Sequence, residues 1–172
     1  MEIEILLVDL TANVPEVWMI IEKKQITMPG EIERKHQIKQ LINNNPAIRV
    51  VGPKYGDELV AYYAAADYFV FPSYREGFPN TVLEAGAMGL PAIVTDINGS
   101  REIIQDEYNG FVIPSKNVDE LKKAMERMIV DESLRVKMAG VARSRIVERY
   151  EKSFVQQCQM DFYEKVLQDY QR

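Results

Sequence analysis

The apolar positions of this chain fall into short runs separated by longer stretches of helical period. Ile3 to Val8 is a short, largely apolar run of buried-strand length, and Ile48 to Val51, Tyr68 to Phe71, Ala92 to Thr95 and Gly110 to Ile113 also read as strands. Between them the spacing changes. Glu31 to Asn43 carries Ile32, Ile38, Leu41 and Ile42 among charges, a helical pattern stopped by the asparagines before Pro46. Leu59 to Ala66 and Thr81 to Met88 predict two more helices, the second with Gly89 just past its end. Ser100 to Gln105 predicts a short one. Val14 to Ile26 reads two ways, as a helix after Pro15 or as a strand, and Pro29-Gly30 closes it.

From Val118 onward the pattern is helical. Val118, Leu121, Met125, Met128 and Ile129 form one apolar face, with Asn117 placed to cap it. Leu134, Met138, Val141, Ala142 and Ile146 form a second. Phe154, Cys158, Phe162, Val166 and Tyr170 recur every four residues along a final helix. Short strands alternating with helices predict an α/β chain: a Rossmann-like parallel sheet with helices on both faces, plus C-terminal helices. We read one α/β domain over residues 1–150 and a C-terminal helix over 151–172.

Composition narrows the class. The 172 residues are 47% hydrophobic and 27% charged, as in an ordinary globular protein, and the net charge of −5 argues against nucleic acid as a partner. No apolar run approaches the roughly 20 residues that span a bilayer. Met1 to Leu10 has no basic segment before its apolar part, so it does not read as a signal peptide. One cysteine, Cys158, leaves no internal disulfide, and the expected location is cytoplasmic. Cys158 lies on the apolar stripe and is expected to be buried. His36 is the only histidine and sits among charges, which argues against a zinc cluster and for a plain surface residue.

The chemistry concentrates at Arg75 to Glu84, REGFPNTVLE. A strand precedes it and a helix of small residues, LEAGAMG, follows, so it is a loop feeding a helix N-terminus. Such a loop presents free N–H groups and the positive end of the helix dipole, which suits an anion. Glu76 and Glu84 flank it, and a carboxylate accepts from two hydroxyls at once. Sheets of this class bind ligands outside the carboxyl ends of their strands, where this loop falls. A sugar phosphate or nucleotide sugar fits that combination.

EGFPNTVLE resembles the E-x7-E motif of retaining GT-B glycosyltransferases, the family that includes bacterial capsular, O-antigen and exopolysaccharide enzymes. The likeness runs through Tyr62 to Pro114, with FPSYREGFPN, EAGAMGLP and TDINGS around the motif, and more weakly to about Leu167. It covers roughly residues 43–167 well and 1–42 poorly. It implies the C-terminal, donor-binding half of a GT-B fold. Glu84 would take the ribose hydroxyls, and Glu76 the donor-sugar hydroxyls near the reaction centre. The backbone of Gly77, Phe78, Pro79 and Asn80 would line the sugar, and the N–H groups of Asn80, Thr81 and Val82 the diphosphate. The loop Gly52, Pro53, Lys54 and Tyr55 would lie against the base. The reaction would use a nucleoside-diphosphate sugar with no metal and no other cofactor. The acceptor, a polysaccharide or a lipid-linked sugar, would be held by an N-terminal domain outside this chain. The Gly-Arg…Lys-Gly segment that usually supplies cations for the diphosphate is not in this sequence, and Lys54 and Arg75 have no assigned role.

Plainer readings stand beside these. Thr81-x-x-Glu84 fits a capping box, which would use Glu84 to satisfy the Thr81 N–H. Arg101 and Glu102 are expected to cap or pair locally. Arg135, Lys137, Arg143, Arg145, Arg149 and Lys152 crowd one region, either as a solvated face or as a peripheral contact with the inner face of the plasma membrane. The final helix is expected to leave an apolar patch exposed or to form a homodimer contact. The same site without turnover would make a non-catalytic nucleotide-sugar-binding or interaction module. A GT-B sugar-nucleotide epimerase is a third reading.

Overall fold

The computed structural model describes residues 4–8, 18–22 and 54–170. The expected helix over Glu31 to Asn43, the strand over Ile48 to Val51, His36 and the loop residues Gly52 and Pro53 lie outside the described residues.

Five strands form one sheet: β1 (Glu4–Val8), β2 (Trp18–Glu22), β3 (Tyr68–Phe71), β4 (Ala92–Thr95) and β5 (Gly110–Ile113). Their order across it is β2-β1-β3-β4-β5. Strands β1, β3, β4 and β5 run parallel, with Leu6 opposite Phe69, Val70 opposite Ile93 and Ile93 opposite Phe111. The expected parallel sheet is present, and β2 adds an edge strand to it that pairs antiparallel with β1 in the register Leu6 to Ile20. The segment 9–17 between them is shorter than the dozen or so residues that a parallel crossover needs. It also decides between the two readings of Val14 to Ile26: Trp18–Glu22 is a strand.

Among the described residues six helices alternate with or follow the strands: α1 (Gly56–Ala65), α2 (Asn80–Ala87), α3 (Ser100–Ile103), α4 (Val118–Val130), α5 (Glu132–Tyr150) and α6 (Lys152–Tyr170). Side chains alternate across the pleat, so each strand serves two cores. Phe69, Phe71, Ala92 and Val94 face one way and bury against Tyr63 of α1, Val82 and Ala85 of α2, Ile103 of α3 and Ile146 of α5. Tyr68, Val70, Ile93, Phe111 and Ile113 face the other, against Ala124 and Met128 of α4 and Met138 of α5. The expectation of helices on both faces is borne out, and α5 is long enough to serve both cores.

Local signals set the helix ends. Asn117 caps α4, its side chain accepting from the Glu120 N–H at 3.1 Å. Beyond α2, Gly89 takes φ +86°, and the N–H groups of Gly89 and Leu90 donate to the carbonyls of Gly86 (2.9 Å) and Ala85 (3.0 Å). This is a left-handed stop that satisfies two end carbonyls. Arg135 departs from the solvated face expected of it. It is 5% exposed, and its guanidinium donates to the Met128 carbonyl at 2.6 Å, closing the end of α4. Arg143 likewise donates to the Ala87 carbonyl at the end of α2. The basic crowd is therefore partly spent on tying α5 to its neighbours.

The last helix behaves differently. No residue of α6 is buried, and Cys158 is exposed, against the expectation for it. Its apolar stripe instead borders an open groove of about 440 Å³ lined by Tyr150, Phe154, Val155, Cys158, Phe162 and Tyr163. The exposed apolar patch expected of this helix is present. Among the described residues no helix is long and apolar enough to cross a membrane.

Two measurements check this architecture. A Cβ built on Gly110 would meet the Ala92 carbonyl oxygen at 2.0 Å, across the β4–β5 pair. Gly110→Ala is expected to cost about 2 kcal/mol or more in denaturant unfolding, since backbone cannot move aside as a side chain tip can. A dye that reports exposed apolar surface should bind the native chain, and the Phe154→Gln/Phe162→Gln double variant should bind markedly less of it; equal binding would mean that the face of α6 is covered in solution.

Candidate functional site at the carboxyl edge of the sheet

All four residues of β3 are buried, so the chain leaves the sheet at a fixed point, Phe71. Pro72 to Pro79 then turns back over the carboxyl edge and enters α2 at Asn80. Two neighbours and one internal hydrogen bond hold this turn. At the end of β4, the Thr95 hydroxyl donates to the Ser73 carbonyl. Ser73, itself buried, donates from its hydroxyl to the Glu76 carboxylate at 3.0 Å. In the β4–α3 loop, Gly99 lies directly against the motif. A Cβ there would meet the Gly77 carbonyl oxygen at 2.4 Å and the Phe78 Cα at 2.9 Å, and Gly99 has φ +78°. Only glycine meets both conditions without strain.

Phe78 is 42% exposed, and its ring stands 5.5 Å from that of Tyr150 at the end of α5. The Tyr150 hydroxyl donates to the Glu102 carbonyl of α3 at 2.9 Å. Arg101 pairs locally as expected, with Asp96 at 2.9 Å and Asn98 at 2.7 Å.

The N-terminus of α2 has no side-chain cap. Pro79 occupies the capping position, so Thr81 sits inside the first turn and not before it. The capping box is therefore not formed. The Thr81 hydroxyl is buried with no hydrogen-bond partner, and Glu84 points elsewhere: its carboxylate accepts from the Tyr63 hydroxyl at 3.2 Å. The Val82 N–H, expected to face a diphosphate, donates to the Pro79 carbonyl at 3.1 Å. Among the described residues no carbonyl accepts from the N–H groups of Asn80 or Thr81. The helix thus offers two backbone donors and its positive end at the sheet edge, with one carboxylate before it and one a turn inside.

The structure brings Glu76 through Glu84 together on one loop and helix start. Of the expected base-side loop, Lys54 and Tyr55 are described. Tyr55 is 66% exposed before α1. Lys54 pairs with Glu58, which raises its ammonium above the ordinary value, and it stands 5.3 Å from the Tyr62 ring centroid. Among the described residues no group of three or more His, Cys, Asp or Glu side chains is placed to hold a metal ion.

The residues that support the motif were not singled out in the sequence: Tyr63, Ser73, Thr95, Gly99 and Tyr150. Gly99 carried a usable signal, since Asn98-Gly99 marks a turn needing positive φ. Nothing local marks Tyr63 or Tyr150, whose partners are 21 and 48 residues away.

The α/β sheet with helices on both faces is the fold of one half of the GT-B glycosyltransferases that it resembles in structure. The profile of the family described as "Glycosyl transferases group 1" matches residues 9–145, and the chain belongs to that family. It is 32% identical over 126 residues to an N,N'-diacetylbacillosaminyl-diphospho-undecaprenol alpha-1,3-N-acetylgalactosaminyltransferase of Campylobacter jejuni, covering 73% of this chain and 33% of that protein. Its fold is similar to the C-terminal domain of LpcC, a glycosyl transferase group 1 family protein from Francisella tularensis (TM-score 0.63, 26% identity, 70% of this chain and 64% of that one). It is also similar to Anabaena HepE in complex with UDP (TM-score 0.70, 78% of this chain and 36% of that one), a likeness of fold at 19% identity. The chain spans about a third of the length of the curated relatives it matches.

Gly99→Ala tests the seating of the motif loop. It forces a side chain into the left-handed region and onto the Gly77 carbonyl, so unfolding stability should fall by about 1–3 kcal/mol. Amide signals of Gly77 to Thr81 should shift more than those of α4; a variant whose motif signals stay in place would show that the loop does not rest on Gly99.

Proposed function

We propose that the chain is the donor-binding part of a retaining glycosyltransferase that transfers a sugar from a nucleoside diphosphate to a polysaccharide or lipid-linked acceptor. The observation that carries this is the uncapped start of α2, where among the described residues no carbonyl accepts from the Asn80 and Thr81 N–H groups, with Glu76 before it in the loop and Glu84 a turn inside. The N–H groups and the helix dipole suit the diphosphate, Glu84 the ribose hydroxyls, and Glu76 the sugar hydroxyls beside the anomeric carbon. UDP in HepE and the lipid-linked acceptor in the name of the Campylobacter relative support the ligand classes. That name also specifies an α linkage, which a donor α-linked to its diphosphate gives by retention.

In this reading the bond from the anomeric carbon to the diphosphate oxygen breaks, and its electron pair leaves with the diphosphate. The acceptor oxygen bonds to the same face and gives up its proton to the departing group. The protein positions the donor and stabilises the charge that develops on the leaving oxygen, with no metal. The acceptor-binding half lies in the remaining length of the whole enzyme, and the apolar face of α6 is suited to pack toward it. A non-catalytic module shares the same site and differs only in turnover.

Calorimetry with UDP and UDP-sugars checks the division of labour. Glu84→Ala removes charged hydrogen bonds worth about 1.5–3 kcal/mol each, so UDP affinity should fall about 10-fold or more. Glu76→Ala should leave UDP affinity near that of the native chain and remove the preference for one sugar among UDP-sugars. UDP bound equally well by native chain and Glu84→Ala would remove the ribose assignment.

A further inference from the structure

We infer that Tyr63 is a positioning residue that sets the Glu84 carboxylate for its ligand; the inference rests on the donor-site reading. Tyr63 is 2% exposed, and its ring is wedged in the core beneath α2, meeting Phe69 edge-on at 6.0 Å between centroids. Its hydroxyl emerges under the first turns of α2, 3.2 Å from Glu84 Oε2 and 3.4 Å from the Thr81 carbonyl oxygen. A phenol has one proton to donate. The Thr81 carbonyl already lies in the helical ladder, and a carboxylate is the stronger acceptor, so the proton goes to Glu84. The bond occupies one lone pair of Oε2 and leaves the other oxygen able to accept from two hydroxyls.

Glu84 itself is exposed and otherwise free to turn. A glutamate ordered only when ligand arrives loses rotamer freedom at that moment, which weakens binding. A rigid donor in the core orders it beforehand. The phenol hydroxyl also adds specificity of direction, because it reaches Glu84 from the core and leaves the outward side of the carboxylate to the ligand. Ser73 stands in the same relation to Glu76, as a buried hydroxyl 3.0 Å from the carboxylate. Tyr63 is the sharper case, because Phe is its isostere and keeps the ring contacts.

The experiment compares Tyr63→Phe with the native chain in two ways. Carbon-detected NMR of glutamate-labelled protein reads the Glu84 carboxylate without any ligand: its signal should move and its side chain should sample more rotamers in Tyr63→Phe, while the signals of α4 stay in place. Calorimetry then uses UDP and its 2′,3′-dideoxy form. UDP affinity should fall about 3- to 10-fold in Tyr63→Phe, the effect of one side chain left unordered. Affinity for the dideoxy form should be unchanged, and Tyr63→Phe should cost nothing further in a Glu84→Ala background. An unmoved Glu84 signal, or an equal loss for both ligands, overturns the positioning role and leaves the donor site intact. A native chain that does not distinguish UDP from its dideoxy form overturns the ribose assignment, and the role of Tyr63 with it.

Discussion

The close approach of Gly99 to the Gly77 carbonyl is the contact on which the edge of this sheet depends. Two loops that leave adjacent parallel strands must share the space above the carboxyl edge. One carries the motif, the other carries the start of α3. They meet backbone to backbone, at a distance that excludes any side chain on Gly99. The same region is fastened from below by Thr95 on the Ser73 carbonyl and from outside by Tyr150 against Phe78. A loop held on three sides keeps its N–H groups aimed outward without a side-chain cap. That matters because a cap would fill the position a ligand anion needs.

Much of the fold was legible from spacing. Every described strand from β3 on has the bounds its apolar run predicts, since four-residue apolar runs between turn signals are what a doubly covered sheet demands. The antiparallel strand β2 was harder, because Val17, Trp18, Ile20 and Ile21 satisfy both helix and strand periods. Cys158 shows a different limit. A stripe repeating every four residues establishes that one face of α6 is apolar, but it does not say whether this chain supplies the cover. Thr81-x-x-Glu84 shows a third. Its spacing suits a cap only if the helix begins at Thr81, and Pro79, with its fixed φ and no N–H, begins it earlier.

The site divides in the same way. Glu76 to Glu84 is contiguous, so sequence alone gathers it. The groups that orient it come from α1, β4, the start of α3 and α5, and of these only Gly99 is marked by a local pattern. Tyr63 and Tyr150 read as ordinary aromatic core, and by burial Tyr63 is just that. What distinguishes both is the hydroxyl at the far end of a packed ring. A tyrosine in a core needs a partner for that hydroxyl, and the partner's identity depends on topology. Tyr68 is the exception: burial raises the phenol's pKa, and among the described residues its hydroxyl has no hydrogen-bond partner. At Tyr63 the partner is a motif carboxylate.

On the proposed donor reading, the start of α2 would not hold a diphosphate by itself. A helix start contributes about 0.3–2 kcal/mol toward an anion, a modest return for two phosphates taken from water. Arg135 and Arg143 are engaged with backbone carbonyls, Arg101 with Asp96 and Asn98, and Lys54 with Glu58. Among these four, each cation already has a partner away from the α2 N-terminus. The groove beside α6 touches Tyr150, and Tyr150 touches Phe78 of the motif. The exposed apolar face of α6 is therefore linked, through one aromatic contact, to the motif loop. On the proposed donor reading, a surface laid on α6 would bear on the motif loop through Tyr150 and Phe78, so covering the apolar face and ordering the anion site would be neighbouring events.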